Sequence, residues 1–462
     1  MASASSRTRS ASASATRRAE RVLPRGIIIA APASGSGKTL VTLSLLSLFK
    51  ARRLRVAGCK AGPDYIDPEF HAAATGVPCF NLDIWAMRQA SLGNLLAHQA
   101  TQADLVIVEG VMGLFDGVPG KGGRDNGSTA QLARHLDLPI LLVVNAKGQG
   151  ATAGAVLEGL MRHDPALNFA GVIFNNVGGG VHREILGDAA ATAGIKALGY
   201  LPRVAALKVP ERHLGLVQAR EHQGLDDFFA AARNAFSDCL DLDGIVAAAG
   251  AITGGDARLK PLLPPIGQRI AVADDAAFAF AYPFHLEAWA AAGAEIIPFS
   301  PLADEAPRTD ADAVYLPGGY PELHAGRLAG NATFMDGLRQ AAARGALIYG
   351  ECGGYMTLGT GLVDAAGARH AMAGLLPVET SFAARKLHLG YRQATLLDAA
   401  PFGAAQAAFR GHEFHYASIV SEGAGPALFQ ATDSRGRDLG PVGRRQGSVM
   451  GSFMHLIDRV AD

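Results

Sequence analysis

Two short stretches of the chain carry residues whose types and spacing suit chemistry. "SGSGKT" (Ser34–Thr39) places Gly35, Ser36 and Gly37 before a lysine and a hydroxyl residue. In such a turn, backbone N–H groups and a following helix N-terminus point at phosphate oxygens, and the lysine adds a point charge. Lys38 would reach the β- and γ-phosphates of a nucleotide, and the Thr39 hydroxyl would ligate Mg2+. "GECGG" (Gly350–Gly354) places Cys352 between glycines. A lone buried cysteine usually packs as a small hydrophobe. Glycines two residues to either side instead follow the logic of a nucleophile elbow, which holds a thiol up for attack.

Each stretch needs partners. Magnesium requires further hard oxygens, and "CKAGPDYIDPEFH" (Cys59–His71) offers Asp64 and Asp67, while "DLVIVEGVMGLFDG" (Asp104–Gly117) offers Glu109 and Asp116. Taken singly, each acid suits loop solvation or helix capping equally well. A thiolate requires a base and backbone donors for an oxyanion. Gly318 and Gly319 of "YLPGGYPELH", with Gly353, are the candidate donors. His455 of "GSFMHL" is the candidate base, and "FRGHEFHYAS" adds His412 and His415.

The elements that must position these residues are short apolar runs alternating with helix-length segments. "GIIIAA", "RVAGCKA", "DLVIVEG", "PILLVVNA" and "AGVIFNN" are nearly continuous in apolar character, the mark of parallel strands covered on both faces. Strand–helix alternation implies a doubly wound α/β domain, whose strand ends share one crevice with the phosphate loop. A second alternation runs from "RIAVADD" through "AVYLPGG" and "ALIYGE" to "GSVMGSFMHL". Between them, a Gly/Ala/Pro-rich segment reads as a linker. The expected organisation is a disordered basic tail at 1–25, a nucleotide domain at 26–240, a linker at 241–267 and a thiol domain at 268–462.

Composition restricts the partners. With 42 Lys+Arg against 42 Asp+Glu, nothing favours nucleic acid or an anionic membrane. Apolar runs are strand-length, so no membrane span is expected. The four cysteines lie far apart without a C-x-x-C pair, which argues for a reducing cytoplasm over a disulfide framework. The first residues, Ser/Ala/Arg-rich and without acids until Glu20, have the composition of a transit peptide and equally of a basic tail; the tail is the expectation.

Taken in order, "SGSGKT", "KAGPDYIDPEFH", "VEGVMGLFDG", "YLPGGYPE", "GECGGYM", "RGHEFHYAS" and "GSFMHL" resemble the cobyrinic acid a,c-diamide synthase family over nearly the whole chain beyond the tail. The resemblance implies a dethiobiotin-synthetase-like P-loop domain joined to a class I-like glutaminase domain. It implies that ATP, with Mg2+, phosphorylates acetate carboxylates of a corrinoid. Ammonia that Cys352 and His455 release from L-glutamine then displaces the phosphate, so an ammonia path must join two sites. By position, Thr39, Glu109 and Asp64 would hold the metal, and Asp64, Tyr65, Asp67 and Asp116 would line the substrate carboxylate. Asn175 would sit where adenine is read, and the segment with His412 and His415 would face the macrocycle. A homodimer is left open.

Two departures stand out. Ala31 and Pro32 replace the leading glycine of the phosphate loop. Where many class I glutaminases have "HPE", this chain has His455, Leu456 and Ile457, leaving the third triad member open, with Asp458 as a weak substitute; slow or ATP-coupled glutaminase action is expected. The alternatives are an amidase of another tetrapyrrole, of the cobyric acid synthase or nickel-sirohydrochlorin type, and a P-loop partitioning or scaffold ATPase. The last leaves the cysteine idle.

Overall fold

A computed structural model describes residues 23–119, 125–204, 207, 211–212, 215–216, 218–222 and 224–460. The expected tail lies outside the described residues as far as residue 22.

The first domain is built on strands β1 (Arg25–Ala30), β2 (Val56–Ala61), β3 (Phe80–Leu82), β4 (Leu105–Glu109), β5 (Ile140–Asn145), β6 (Phe169–Val177) and β7 (Ala197–Pro202). They pair in parallel in the order β3-β2-β4-β1-β5-β6-β7. The apolar runs follow from this placement. Ile27 and Ile29 of β1 enter one core, and Ile28 and Ala30 enter the core on the opposite face, so both faces of the strand beyond its first residues are apolar.

The expected boundary moves. Residues Leu242–Ala248 form a helix packed by Leu242 and Ile245 into the first core, and Gly250–Ala251 pairs antiparallel with β1. Arg25, assigned to the tail, begins β1, and its guanidinium donates to the carbonyls of Val246, Ala247 and Ala249 at that helix's end, where unsatisfied carbonyls collect. The first half of the expected linker 241–267 is therefore part of the nucleotide domain. Leu263 and Ile266 at its far end pack into the second.

The second domain has a six-stranded sheet, ordered 295–299, 269–273, 313–316, 347–351, 449–452, 444–446, parallel except for its last strand. Beside it stands a five-stranded antiparallel sheet ordered 438–442, 429–433, 388–396, 408–415, 454–459. A four-stranded sheet of short strands completes it. The two domains share packing: Tyr282, Phe284 and Ile457 are buried in the same cluster as Ile28, Phe80 and Leu82. Among the described residues, no helix is long and apolar enough to cross a membrane.

Candidate active site

The phosphate loop leaves β1 and enters helix α1 (Lys38–Ala51). Gly37 has φ +96°, and a Cβ there would stand 2.2 Å from Asn175 Nδ2, so only glycine fits. Asn175, at the end of β6, donates from Nδ2 to the Ser36 carbonyl (3.1 Å) and accepts from Asn176 N–H. It braces the loop.

Around the loop the charges form one buried network. Thr39 Oγ1 donates to Glu109 Oε1 at 2.6 Å. The same oxygen takes Lys60 Nζ at 3.0 Å, and Glu109 Oε2 pairs with His71 Nε2 at 2.7 Å. Lys60 also reaches Asp67 Oδ2 at 2.5 Å. Register explains the meeting: Lys60 of β2 lies directly opposite Glu109 of β4. Burial alone would raise the Glu109 carboxyl, but Lys60 and the His71 hydrogen bond hold it below the ordinary range. Against burial, Asp67 and Glu109 keep Lys60 protonated. Lys38 Nζ donates to the Met112 carbonyl at 2.6 Å, and burial together with Lys60 lowers its pKa. Asp64 Oδ1 accepts from Ile66 N–H at the start of helix α2 (Ile66–Thr75), and Asp116 accepts from Gly113 N–H. The hydroxyl of Thr39 and the carboxylate of Glu109 are hard oxygens of the kind that could hold a Mg2+ ion. Lys60 and His71 were not singled out by the sequence reasoning; the signal was a lysine inside an otherwise apolar strand, which burial tolerates only with a partner.

Cys352 stands between the strand Leu347–Glu351 and a short helix, Gly353–Leu358. Its φ of 48° and ψ of −100° are a strained pair for a side-chain-bearing residue. A Cβ at Gly354 would meet the Leu316 carbonyl at 2.0 Å, which explains the glycine. Burial, with Glu322, pushes the thiol pKa up, so the resting sulfur is neutral and needs a base. Its Sγ lies 3.8 Å from the Phe414 carbonyl. The cavity beside it, about 30 Å³, is lined by Phe280, Tyr320, Phe382, Phe414 and His415 among others.

His455 packs its ring against Gly318, where a Cβ would stand 2.4 Å from Cε1. Gly319 N lies 3.0 Å from a Cβ built on Gly353, so the three glycines expected to donate converge with the imidazole. His412, opposite His455 in register, stacks on it at 4.8 Å. Burial, then His412, drives the His455 pKa well below its usual value. His412 and His415, expected to face a macrocycle, stand in different surroundings. His412 is buried, pushed down to about 3 by burial, with Nε2 2.9 Å from Tyr282 Oη. His415 lines the thiol cavity and bonds Glu413 at 3.0 Å. Three residues apart on one strand, the two side chains face opposite ways, so each ring meets different neighbours.

Asp458 does not support His455. It is fully buried on the opposite side of the strand, where Arg88 N, Nε and Nη2 and Ser91 Oγ donate to it. This clamps the two domains together. The acid near His455 is Glu351, which sequence reasoning missed; its Oε2 lies 3.9 Å from Nδ1. An acid ending a buried strand immediately before the cysteine was the available signal.

The two pockets meet at Tyr65. Its neighbours Asp64 and Asp67 belong to the nucleotide side, while its hydroxyl lies 3.1 Å from His455 Nδ1. Its ring stacks on Tyr282 (4.3 Å) and Phe280 (5.2 Å). A cavity of about 530 Å³ opens between the domains, with Tyr65, Asn81, Arg220 and Asp274 on its walls.

Comparison with known proteins matches residues 27–217 to a CobQ/CobB/MinD/ParA nucleotide binding domain and residues 269–460 to a CobB/CobQ-like glutamine amidotransferase domain. Over 437 residues the chain is 52% identical to hydrogenobyrinate a,c-diamide synthase of Brucella anthropi, covering 94% of this chain and 98% of that one. The enzyme of the same description from Mesorhizobium japonicum is 49% identical over 95% and 99% of the two chains. That from Rhizobium meliloti is 51% identical over 94% and 99%.

Proposed function

The chain belongs to the hydrogenobyrinate a,c-diamide synthase family, and from that premise we propose that it amidates the a and c acetate carboxylates of cobyrinic or hydrogenobyrinic acid. ATP is the energy source and L-glutamine the nitrogen source, in cobalamin biosynthesis. The observation that carries this reading is the junction at Tyr65: the segment Asp64–Asp67, where a loop enters α2, touches both the phosphate-site network and the His455 imidazole.

A carboxylate resists amidation because its oxygen is a poor leaving group. Lys38 and the loop amides would hold the nucleotide phosphates, with Thr39, Glu109 and an oxygen of Asp64 as ligands for Mg2+. When bound, the ion neutralises charge developing on the transferred phosphoryl group. Asp64, Tyr65, Asp67 and Asp116 would border the acceptor carboxylate, whose oxygen takes the γ-phosphoryl group as the bond to ADP breaks; ammonia then attacks the acyl carbon of the acyl-phosphate and phosphate departs. In the second pocket His455 takes the Cys352 proton, the sulfur attacks the glutamine carboxamide, and Gly318, Gly319 and Gly353 donate to the oxyanion. The stacked Phe280–Tyr65–Tyr282 wall keeps the two chemistries apart and water out.

The test is incubation of the protein with hydrogenobyrinic acid or cobyrinic acid, ATP, Mg2+ and glutamine, followed by mass spectrometry. Two successive replacements of OH by NH2 are expected on at least one substrate. No mass change with either macrocycle would overturn the assignment.

A further inference from the structure

His455 is followed by Leu456 and Ile457, both buried in apolar cores, so its own strand brings no acid to the imidazole. The next acid, Asp458, is consumed by Arg88 and Ser91. Glu351 arrives from the neighbouring sheet instead. Its carboxylate is fixed from three directions: Tyr315 Oη donates at 2.8 Å, Tyr349 Oη at 3.0 Å and Leu456 N–H at 3.2 Å. The last donor is the backbone of the residue after His455, so carboxylate and imidazole are held in one frame.

We propose that Glu351 is the positioning acid of the glutaminase, orienting His455 and balancing the charge it acquires, a role taken from the nucleophile's own strand. This rests on the reading of Cys352 and His455 as the glutaminase pair. As the sulfur–carbon bond forms, the thiol proton passes to His455 Nε2. The imidazolium then presents Nδ1–H to Glu351. Its other proton goes to the departing nitrogen as the C–N bond breaks, releasing ammonia, and water opens the thioester to glutamate. Glu351 begins and ends the cycle ionised. The Tyr65 hydroxyl holds the imidazole plane from the other domain but can carry no negative charge at neutral pH, because burial raises its pKa well above the ordinary value.

Glu351 is faced by Tyr315, Tyr349, Tyr65, Tyr282, His455 and the adjoining Cys352, none of them a permanent cation. Burial raises its carboxyl to about 7. Glutamine-dependent turnover therefore should climb as pH rises through that value, because the ionised form is the one that supports His455.

The experiment measures glutamate release and ammonia-driven amidation by the full chain as wild type, Glu351→Gln, Glu351→Asp and Cys352→Ala. Glu351→Gln should lower glutamate release about 100-fold and abolish the acid limb near pH 7, while ammonia-driven amidation persists and reports an intact fold. Glu351→Asp should recover part of the loss. A wild-type profile without that limb, or Glu351→Gln within about two-fold of wild type, overturns the proposal. Glutamate release that survives Cys352→Ala overturns instead the reading on which it rests.

Discussion

The phosphate pocket and the thiol pocket are both buried, and they manage polar groups in opposite ways. The first balances charge with charge: Glu109 has both oxygens engaged, by Thr39 and Lys60 on one side and by His71 on the other. The second relies on burial at its centre: the Cys352 pKa is raised, that of His455 lowered and that of Glu351 raised, each chiefly by burial, while the Arg392–Glu413 ion pair, bonded to His415, stands at its edge. The difference fits the two tasks. A nucleotide arrives already charged and is met by fixed charge, whereas thiol chemistry creates charge only during reaction and gains from groups poised to accept it.

The largest effect should separate the pockets outright. Cys352→Ala should abolish glutamine-driven amidation and leave ammonia-driven amidation standing, whereas Lys38→Ala should reduce both by at least about 100-fold. Product formation with each nitrogen source decides it, and equal loss of both in Cys352→Ala would break the comparison. Next comes Glu109→Gln, which strands Lys60 and His71 without their buried anion. A stability loss of roughly 3–5 kcal/mol is expected, read by chemical denaturation.

The smallest effect has the opposite sign. The folded pKa of Glu351 lies above its unfolded value, so the folded state binds the proton more tightly. Its unfavourable contribution to stability is absent below the unfolded pKa, near 4.5, and grows as pH rises to about 7. Glu351→Gln should therefore gain stability relative to wild type between those values, by up to about 3 kcal/mol. A difference that does not change with pH would show that burial does not raise the Glu351 pKa as described.

Much of this was legible beforehand because it is local. A glycine turn between strand and helix is written in consecutive residues, so both the phosphate loop and the cysteine elbow could be placed from spacing alone. The linker was misjudged because the 242–248 helix is short and alanine-rich, and its place was decided by burial of Leu242 and Ile245 against distant strands. A histidine-rich stretch carries no sign of which way its strand faces, and only the fold sets His412 on Tyr282 and His415 at the thiol cavity. Asp458 was considered for its proximity in sequence to His455, and it proved to face the other domain.

By itself the sequence determined the two parallel-sheet domains, the phosphate turn, the elbow and the order of the motifs, since periodicity and glycine spacing act over a few residues. Only the tertiary structure decided which charges meet. Lys60 and Glu109 are joined by strand register, and Tyr65 reaches His455 across the domain interface. Glu351 takes the place by His455 that Asp458 leaves, because alternate side chains of a strand face opposite ways and packing assigns each its neighbours.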